Sequence, residues 1–182
     1  MFQDNNKLSK MTMIMHWLVG FGMIALLVIG WYMATYEVYP LYHWHKSFGI
    51  LIMLFVVMRV VWRMKEGWLK PVSHMSAVEA LIGKLVHWTL LISTVLFPIS
   101  GMLMSGAGGY GLKLFSIELL AANIDPVTNK VVALNKDLAG FGHEMHEILM
   151  WVLAVTVVLH VLAVFKHHFI LKDRTLKRML GR

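Results

Sequence analysis

The chain has 182 residues, of which 58% are hydrophobic and 15% are charged, and its formal net charge is +7. Soluble domains carry about 25% charged residues, so the shortage of charge and the long apolar runs place the chain among integral membrane proteins. The absence of cysteine excludes disulfides, thiolate-ligated clusters and covalent c-type haem attachment, and leaves ten histidines as the main metal ligands.

Four apolar runs, each about twenty residues long, are long enough to cross a bilayer as helices. The first lacks the cleavage site of a signal peptide, because Trp31 and Tyr32 stand where small residues would be needed. Residues 68–84 predict an interfacial connection with a short amphipathic helix near Ser76. Residues 105–142, rich in Gly and Asn, predict a long loop before the fourth run. The predicted spans cover residues 11–34, 43–64, 85–104 and 143–165.

Lysine and arginine are distributed unevenly between the two ends of these spans. Thirteen of the seventeen belong to the N-terminus, the second connection and the C-terminal tail, together with the span ends beside them. By the positive-inside rule, both termini are therefore expected in the cytoplasm. The same asymmetry explains the net charge without a nucleic-acid partner. The sequence predicts an all-α fold in which residues 1–182 form one integral membrane four-helix bundle, up-down-up-down.

Histidines recur at a fixed spacing in the fourth run. A helix turns about 100° and rises about 1.5 Å per residue, so fourteen residues bring His160 to within roughly 40° of His146, about 21 Å along the helix. Two ligands on one face at two depths suit two stacked haems better than one small metal site. In the other runs the same step links His16 to Gly30, His45 to Arg59 and His87 to Gly101.

The layer nearer the outer surface contains two possible ligands. Only His45 and His146 carry ligating side chains at this depth, whereas Gly30 and Gly101 leave room for a flat macrocycle to approach the backbone. His143, the rival in the fourth run, is turned about 100° away from the face of the predicted ligands. The spacing therefore predicts His45 and His146 as one ligand pair.

The inner layer contains three histidines, although one haem needs only two. His160 follows from the spacing, but the spacing does not choose between His16 and His87. Arg59 lies at the same depth, where a charge is expensive unless it is paired. A haem propionate is a suitable partner for this guanidinium, and extension of the side chain to the membrane surface is the alternative.

The histidines also have a purely structural interpretation, as hydrogen-bonding groups between helices. Four or five of them at two matched depths favour ligation, because polar groups in a spanning helix are costly. Two imidazoles give iron a six-coordinate site without an open position, which suits electron transfer rather than oxygen binding. Zinc prefers a tetrahedral cluster, for which ligands at two depths are too far apart.

Several stretches resemble the bacterial cytochrome b561 family. They are IMHWLVGF at 14–21, HKSFGILIMLFVVMRVVWR at 45–63, HW early in the third run, HEMHEILMWVLAVTVVLHVLAVFKHHF at 143–169, and the tail KDRTLKRMLG. The block at 143–169 is the most specific, and the resemblance covers nearly the whole chain. It implies a four-helix, di-haem b protein of the bacterial inner membrane. Such a protein passes electrons between a partner at the periplasmic face and the ubiquinone pool.

The resemblance also implies which histidines hold the two haems. It pairs His16 with His160 and His45 with His146. His87 then faces the interior of the bundle without ligating iron.

A quinone site near the cytoplasmic end of the fourth run is a further implication of the resemblance. It would involve Lys166, His167 and His168. His167 lies seven residues beyond His160 and therefore on roughly the same helix face. From there it would hydrogen-bond or protonate a quinone oxygen. Simple anchoring at the membrane interface is the alternative.

One branch of the family resembles a superoxide:ubiquinone oxidoreductase that draws superoxide to the outer haem through a positive funnel. Here the outer segments hold six acidic residues and four basic ones, which gives little long-range attraction for an anion. Lys46, beside His45, would act only locally. The periplasmic loop 105–142 would instead dock a periplasmic redox protein. A third hypothesis is non-redox: a membrane anchor that holds a periplasmic partner through this loop.

Overall fold

The structure is a computed structural model that describes residues 8–67 and 75–182, so part of the predicted interfacial connection lies outside the described residues. Within these ranges, four helices are long and apolar enough to cross a membrane. They form the predicted helical bundle. We call the end of the bundle where α1 begins and α4 ends the terminal end, and the opposite end the loop end. The helices are α1 Lys10–Thr35, α2 Pro40–Glu66, α3 Ala77–Ala107 and α4 Lys136–Phe165.

The helices are longer than the predicted spans because polar residues cap them beyond the apolar runs. The Ser76 hydroxyl accepts a hydrogen bond from the Glu79 N–H at 3.3 Å, and the Glu79 carboxylate accepts one from the Ser76 N–H at 2.9 Å. The prediction of a separate short helix near Ser76 was wrong, since α3 begins there and runs without a break into the membrane span. Asn135 caps α4 in the same way, accepting from the Leu138 N–H at 2.9 Å.

After α4, the chain reverses direction at the terminal end of the bundle. A π-helical turn, Lys166–Ile170, continues α4, and a short helix α5, Thr175–Met179, follows it. The indole N–H of Trp17 in α1 donates to the Met179 carbonyl at 2.9 Å. This bond holds the C-terminal segment against the terminal end of α1.

The loop between α3 and α4 is more ordered than predicted. It contains an antiparallel hairpin of β1, Leu112–Leu114, and β2, Ile117–Leu120. The fully buried Ser47 of α2 accepts from the Phe115 N–H at 2.9 Å and donates to the Lys113 carbonyl at 3.1 Å. Its hydroxyl thus satisfies backbone groups at the hairpin turn and fixes the hairpin over the loop end of α2.

The buried core lies between the two histidine depths. Aliphatic side chains from α1, α2 and α4 meet Phe97 of α3 there, while most apolar side chains on the outer surfaces of these helices are exposed. That distribution is expected when the outer surface faces lipid. The buried aliphatic residues are Val19, Met23, Leu26, Leu27, Ile52, Val56, Leu149 and Leu153.

Candidate functional site

The loop-end histidines face each other across the bundle. The ring centroids of His45 on α2 and His146 on α4 are 6.4 Å apart, and the ring planes are perpendicular. Imidazole nitrogens bind metals at about 2 Å, so two rings that share one metal ion have centroids roughly 6 Å apart. The separation therefore matches a bis-histidine site. Haem ligation by these two residues stays a prediction.

Each of these rings lies against a glycine of a neighbouring helix. A Cβ added at Gly30 would lie 3.0 Å from Cε1 of His45, and one added at Gly101 would lie 3.0 Å from Cε1 of His146. Both distances are too short for an unstrained contact. The two glycines were predicted to leave room for a macrocycle, and in this structure the imidazoles occupy that space.

The tautomer of His146 is set by groups on α3. Its Nδ1 lies 3.1 Å from the Phe97 carbonyl oxygen and 3.0 Å from the Ser100 hydroxyl. A carbonyl only accepts hydrogen bonds, so Nδ1 carries the proton and Nε2 keeps its lone pair. The His146 ring also stacks on the Phe97 ring, with centroids 4.1 Å apart. Metal-binding histidines are oriented in this way.

Phe97 and Ser100 were missed by the sequence reasoning. Ser100 directly precedes Gly101 and therefore lies at the predicted depth of His146, which was the available signal. No pattern along the chain indicates the role of the Phe97 carbonyl, since that role depends on how α3 and α4 pack.

His45 provides a direct test of the site. Its Nδ1 is buried, and among the described residues no atom hydrogen-bonds to it. A buried polar atom without a protein partner is costly, and a water or a bound group that contacts it would remove this cost. Opposite it lies His146, whose Nε2 is free to bind a metal. The two rings therefore have the spacing and the available nitrogen of residues that would hold a haem iron.

Three histidines meet at the terminal end of the bundle. The ring centroid of His160 is 6.2 Å from that of His16 and 5.4 Å from that of His87. The structure therefore brings together all three inner-layer candidates. Both separations are near the value expected for a shared metal ion, so the distances do not choose between His16 and His87.

Hydrogen bonds distinguish the two rivals. A guanidinium nitrogen of Arg59 lies 3.1 Å from Nδ1 of His16. Arginine only donates, so Nδ1 of His16 is an acceptor and the proton of the neutral ring sits on Nε2. In His87, by contrast, Nδ1 lies 2.7 Å from the Gly83 carbonyl, which leaves Nε2 unprotonated. In this arrangement His87 has the tautomer of a metal ligand through Nε2, and His16 acquires it once Arg59 leaves its ring.

Arg59 was predicted at this depth, but its contact with His16 was not. The spacing placed both residues at one level, which was the available signal. No acidic side chain of the described residues forms an ion pair with Arg59. Its hydrogen-bond partner is a neutral ring, so the positive charge of Arg59 is not compensated by the described part of the protein and would attract an anion bound at this site.

The three residues predicted for a quinone site do not share one set of partners. Lys166 forms an ion pair with Glu79 of α3 at 2.6 Å, and His167 bonds to Asp173 at 2.5 Å. His168 has a buried Nδ1 for which the described part of the chain provides no hydrogen-bond partner. Asp173 was missed by the sequence reasoning, because the chain must reverse direction to bring it beside His167.

A small pocket of about 150 Å³ opens at the loop end, and two of its lining residues, His43 and Lys46, flank His45 in the chain. Lys46 and Lys113 contribute its positive charges, and the Lys46 ammonium lies 5.5 Å from the centre of the Tyr110 ring. Lys113 also pairs with Glu118 at 3.3 Å. Its described lining is completed by His43 and Gly111.

Comparison with known proteins relates this architecture to a family. The family model of prokaryotic cytochrome b561 matches residues 7–182. "Cytochrome b561 homolog 2" of Escherichia coli strain K12 is 34% identical over 172 residues, which cover 92% of this chain and 87% of the relative. "Cytochrome b561 homolog 1" of the same organism is 24% identical, with 97% and 98% covered. "Probable superoxide oxidase CybB" of Yersinia pestis is 25% identical, with 97% of each covered. The chain therefore belongs to the prokaryotic cytochrome b561 family, whose members are membrane electron-transfer proteins with haem b as cofactor.

Proposed function

We propose that this protein is a di-haem b cytochrome that transfers electrons across the bacterial inner membrane, between a periplasmic donor or acceptor and the ubiquinone pool. The observation that carries the proposal is the meeting of histidines at two depths. His45 and His146 meet at the loop end, and His160 meets two further imidazoles at the terminal end.

The loop-end haem would be held by His45 and His146. When bound, haem would supply a one-electron couple, and these two histidines are the residues that would hold it. The protein's own contribution is to orient the ligands. The Phe97 carbonyl holds the proton of His146 on Nδ1, and Gly30 allows the His45 ring to lie against α1.

The terminal-end haem would be held by His160 and, following the family pattern, by His16. Arg59 would pair with a haem propionate, which would compensate a charge that otherwise lies partly buried against a neutral ring. The same exchange would release Nδ1 of His16. His87 would keep its bond to the Gly83 carbonyl and face the haem without ligating it.

The direction of the bundle follows from its basic residues. Arg63, Lys65 and the C-terminal segment lie at the terminal end, so by the positive-inside rule we expect this end to face the cytoplasm. The hairpin and its pocket then face the periplasm. A quinone site at Lys166, His167 and His168 would lie on the cytoplasmic side, next to the inner haem.

The test is a count of haems per chain in the purified protein. We expect two, with an α-band near 560 nm in the reduced-minus-oxidised spectrum. His146→Ala and His160→Ala should each remove one. His143→Ala is the matched control, since His143 is exposed, near His146 on the same helix, and should leave both haems bound. Two results would contradict the proposal. One is a wild-type protein with no haem, and the other is a wild-type protein with a single haem that His146→Ala does not remove.

A superoxide oxidase is the second candidate function. It is favoured by the loop-end pocket, where the Lys46 ammonium provides positive charge for a small anion, and by the name of the Yersinia pestis relative. We expect a pulse of superoxide to reduce the loop-end haem, and Lys46→Gln to slow this reduction while leaving reduction by dithionite unchanged. Absence of haem reduction by superoxide in the intact protein would exclude this candidate.

A further inference from the structure

Residues 171–182, here called the basic segment, follow the π-helical turn at the end of α4 and carry an excess of positive charge. Asp173, the one acid in this part of the sequence, is only 10% exposed. One of its carboxylate oxygens is engaged by His167 at 2.5 Å, and the other accepts from the Thr175 N–H at 2.8 Å. The exposed charges of the segment are therefore positive. They belong to Lys172, Arg174, Lys177 and Arg182.

The backbone turns the basic segment back toward the bundle. Lys172 adopts a left-handed conformation with φ of 51°, which is costly for a residue with a side chain. The Asp173 N–H then donates to the His167 carbonyl at 3.1 Å. Further along, the indole N–H of Trp17 donates to the Met179 carbonyl. The basic segment is thus attached to α4 at its start and to α1 near its end.

Two arginines from different elements approach each other at this end of the bundle. Arg178 of α5 is close enough to Arg63 of α2 for their positive charges to repel each other. Glu66 attracts Arg63 and also accepts a hydrogen bond from Thr12. Two guanidinium groups and one carboxylate leave a net positive charge here. An anion with several oxygens can join two guanidinium groups, because each presents a fork of N–H donors.

Exposed apolar side chains lie next to these charges along the chain. Phe169 and Ile170, in the π-helical turn, are 62% and 73% exposed, and Leu171 and Leu180 are also exposed. They follow a helix that is long and apolar enough to cross a membrane. Basic side chains beside exposed apolar ones are typical of a segment that lies in the membrane interface. A soluble phosphate would use only the charges, whereas a phospholipid would use both features.

We infer that the basic segment and Arg63 form a binding site for an anionic phospholipid. Arg63 and Arg178 contact the headgroup phosphate, and Phe169 and Ile170 lie against the acyl chains. The phosphate removes the repulsion between the two arginines, so the bound lipid stabilises the position of α5 beside α2. This lipid site is independent of the proposed electron transfer, because it uses neither of the proposed haem sites.

The test measures lipid binding to the full-length, haem-loaded protein in a neutral detergent by native mass spectrometry. Phosphatidylglycerol and phosphatidylcholine with identical acyl chains are compared. We expect phosphatidylglycerol to bind at least fivefold more tightly, and Arg178→Gln to weaken its binding at least fivefold, which is the usual contribution of one basic residue at an anionic membrane surface. Lys136→Gln is the matched control, since it removes an exposed positive charge at the loop end, and its affinity should stay within about twofold.

Two competitors distinguish a lipid from a soluble anion. Inorganic phosphate and glycerol 3-phosphate, at constant ionic strength, should not displace phosphatidylglycerol when present at the same concentration, because they lack acyl chains. Displacement by either compound would show that the site takes a soluble phosphate and would overturn the inference. The haem-to-protein ratio should be the same in Arg178→Gln as in the wild type. A lower ratio would assign this guanidinium to a haem propionate and would also overturn the inference.

Arg63→Gln covers the case in which Arg178→Gln does not fold. It should weaken phosphatidylglycerol binding to a similar extent, and the double variant should lose less than the sum of the two effects, because both side chains contact one phosphate. Arg178→Lys keeps the charge and should retain more affinity than Arg178→Gln. Equal binding of the two lipids, wild-type affinity in the arginine variants, or an equal loss in Lys136→Gln would overturn the inference.

Discussion

The two histidine layers differ in how the protein holds their rings. At the loop end, the proton of His146 is fixed on Nδ1 by the Phe97 carbonyl, and the ring faces His45. At the terminal end, three imidazoles share the space with the partly buried guanidinium of Arg59. The protein alone therefore orients the loop-end ligands, whereas at the terminal end the ligand set depends on what Arg59 binds.

The difference has an energetic cause. A carbonyl acceptor such as that of Phe97 stays in place when a metal binds to the far side of the ring. Arg59 instead donates to the ring nitrogen of His16, and a partly buried cation beside a neutral group is poorly compensated. An entering carboxylate, such as a haem propionate, would be a better partner for the guanidinium. We therefore expect haem binding to change hydrogen bonds at the terminal end and to preserve them at the loop end.

The largest effect should come from removing the competing rings at the terminal end. His16→Ala should remove one of two haems per chain, whereas His87→Ala should leave both, because the proposed function assigns the terminal-end haem to His160 and His16. The measurement is the haem-to-protein ratio, with His143→Ala as the control. The opposite result, in which only His87→Ala loses a haem, would assign His87 as the ligand and leave Arg59 on His16.

The next largest effect should come from Arg59, whose positive charge is present in the terminal-end layer. Arg59→Gln should lower the reduction potential of the terminal-end haem, since a nearby cation favours the reduced, more negative form. Loss of a charge at roughly 8–16 Å with an effective dielectric near 20 is worth about 1–2 kcal/mol, or roughly 40–90 mV. A redox titration measures both haems in one sample, and the loop-end haem is the internal control. Equal shifts of both haems would show that Arg59 does not belong specifically to the terminal-end site.

The parts predicted from sequence are those set by the helix period. Rise and rotation per residue are fixed by the backbone, so the meeting of His45 with His146, and of His160 with its neighbours, could be anticipated from a step of fourteen residues. The partners of the ring nitrogens could not. The Phe97 carbonyl and Arg59 reach their histidines across helix interfaces, and that approach depends on helix rotation and packing.

The same limit applies at the helix ends and connections. Ser76 with Glu79 is a capping box that could be read from the sequence as the start of α3, yet it was interpreted as part of a separate short helix. The hairpin held by Ser47 and the pairing of His167 with Asp173 depend on chain reversals. A left-handed residue such as Lys172 has no reliable sequence signal when it is not glycine or asparagine.

A smaller effect is expected from the glycine that supports His45. Gly30→Ala places a methyl group 3.0 Å from the His45 ring and should weaken loop-end haem binding by about 1–3 kcal/mol, as overpacking does. Gly20→Ala is the matched control on α1, because no described atom lies within 4 Å of its added Cβ. Both variants gain the same helix propensity. Titration of haem into the haem-free protein measures the difference, and equal affinities would show that the close approach at Gly30 does not matter.

The smallest effect should come from Ser100, which shares Nδ1 of His146 with the Phe97 carbonyl. Ser100→Ala removes one acceptor and leaves the other, so the ring keeps its tautomer but becomes a slightly weaker electron donor. We expect the loop-end potential to rise by roughly 20–60 mV, the equivalent of about 0.5–1.5 kcal/mol for one hydrogen bond. Ser93→Ala, which removes another buried hydroxyl two turns earlier on α3, should leave both potentials unchanged.

Because Arg59→Gln lowers the terminal-end potential and Ser100→Ala raises the loop-end one, the double variant should change the difference in reduction potential between the two haems by the sum of the two shifts. A shift that appears at the wrong haem would contradict the assignment of these residues to separate layers.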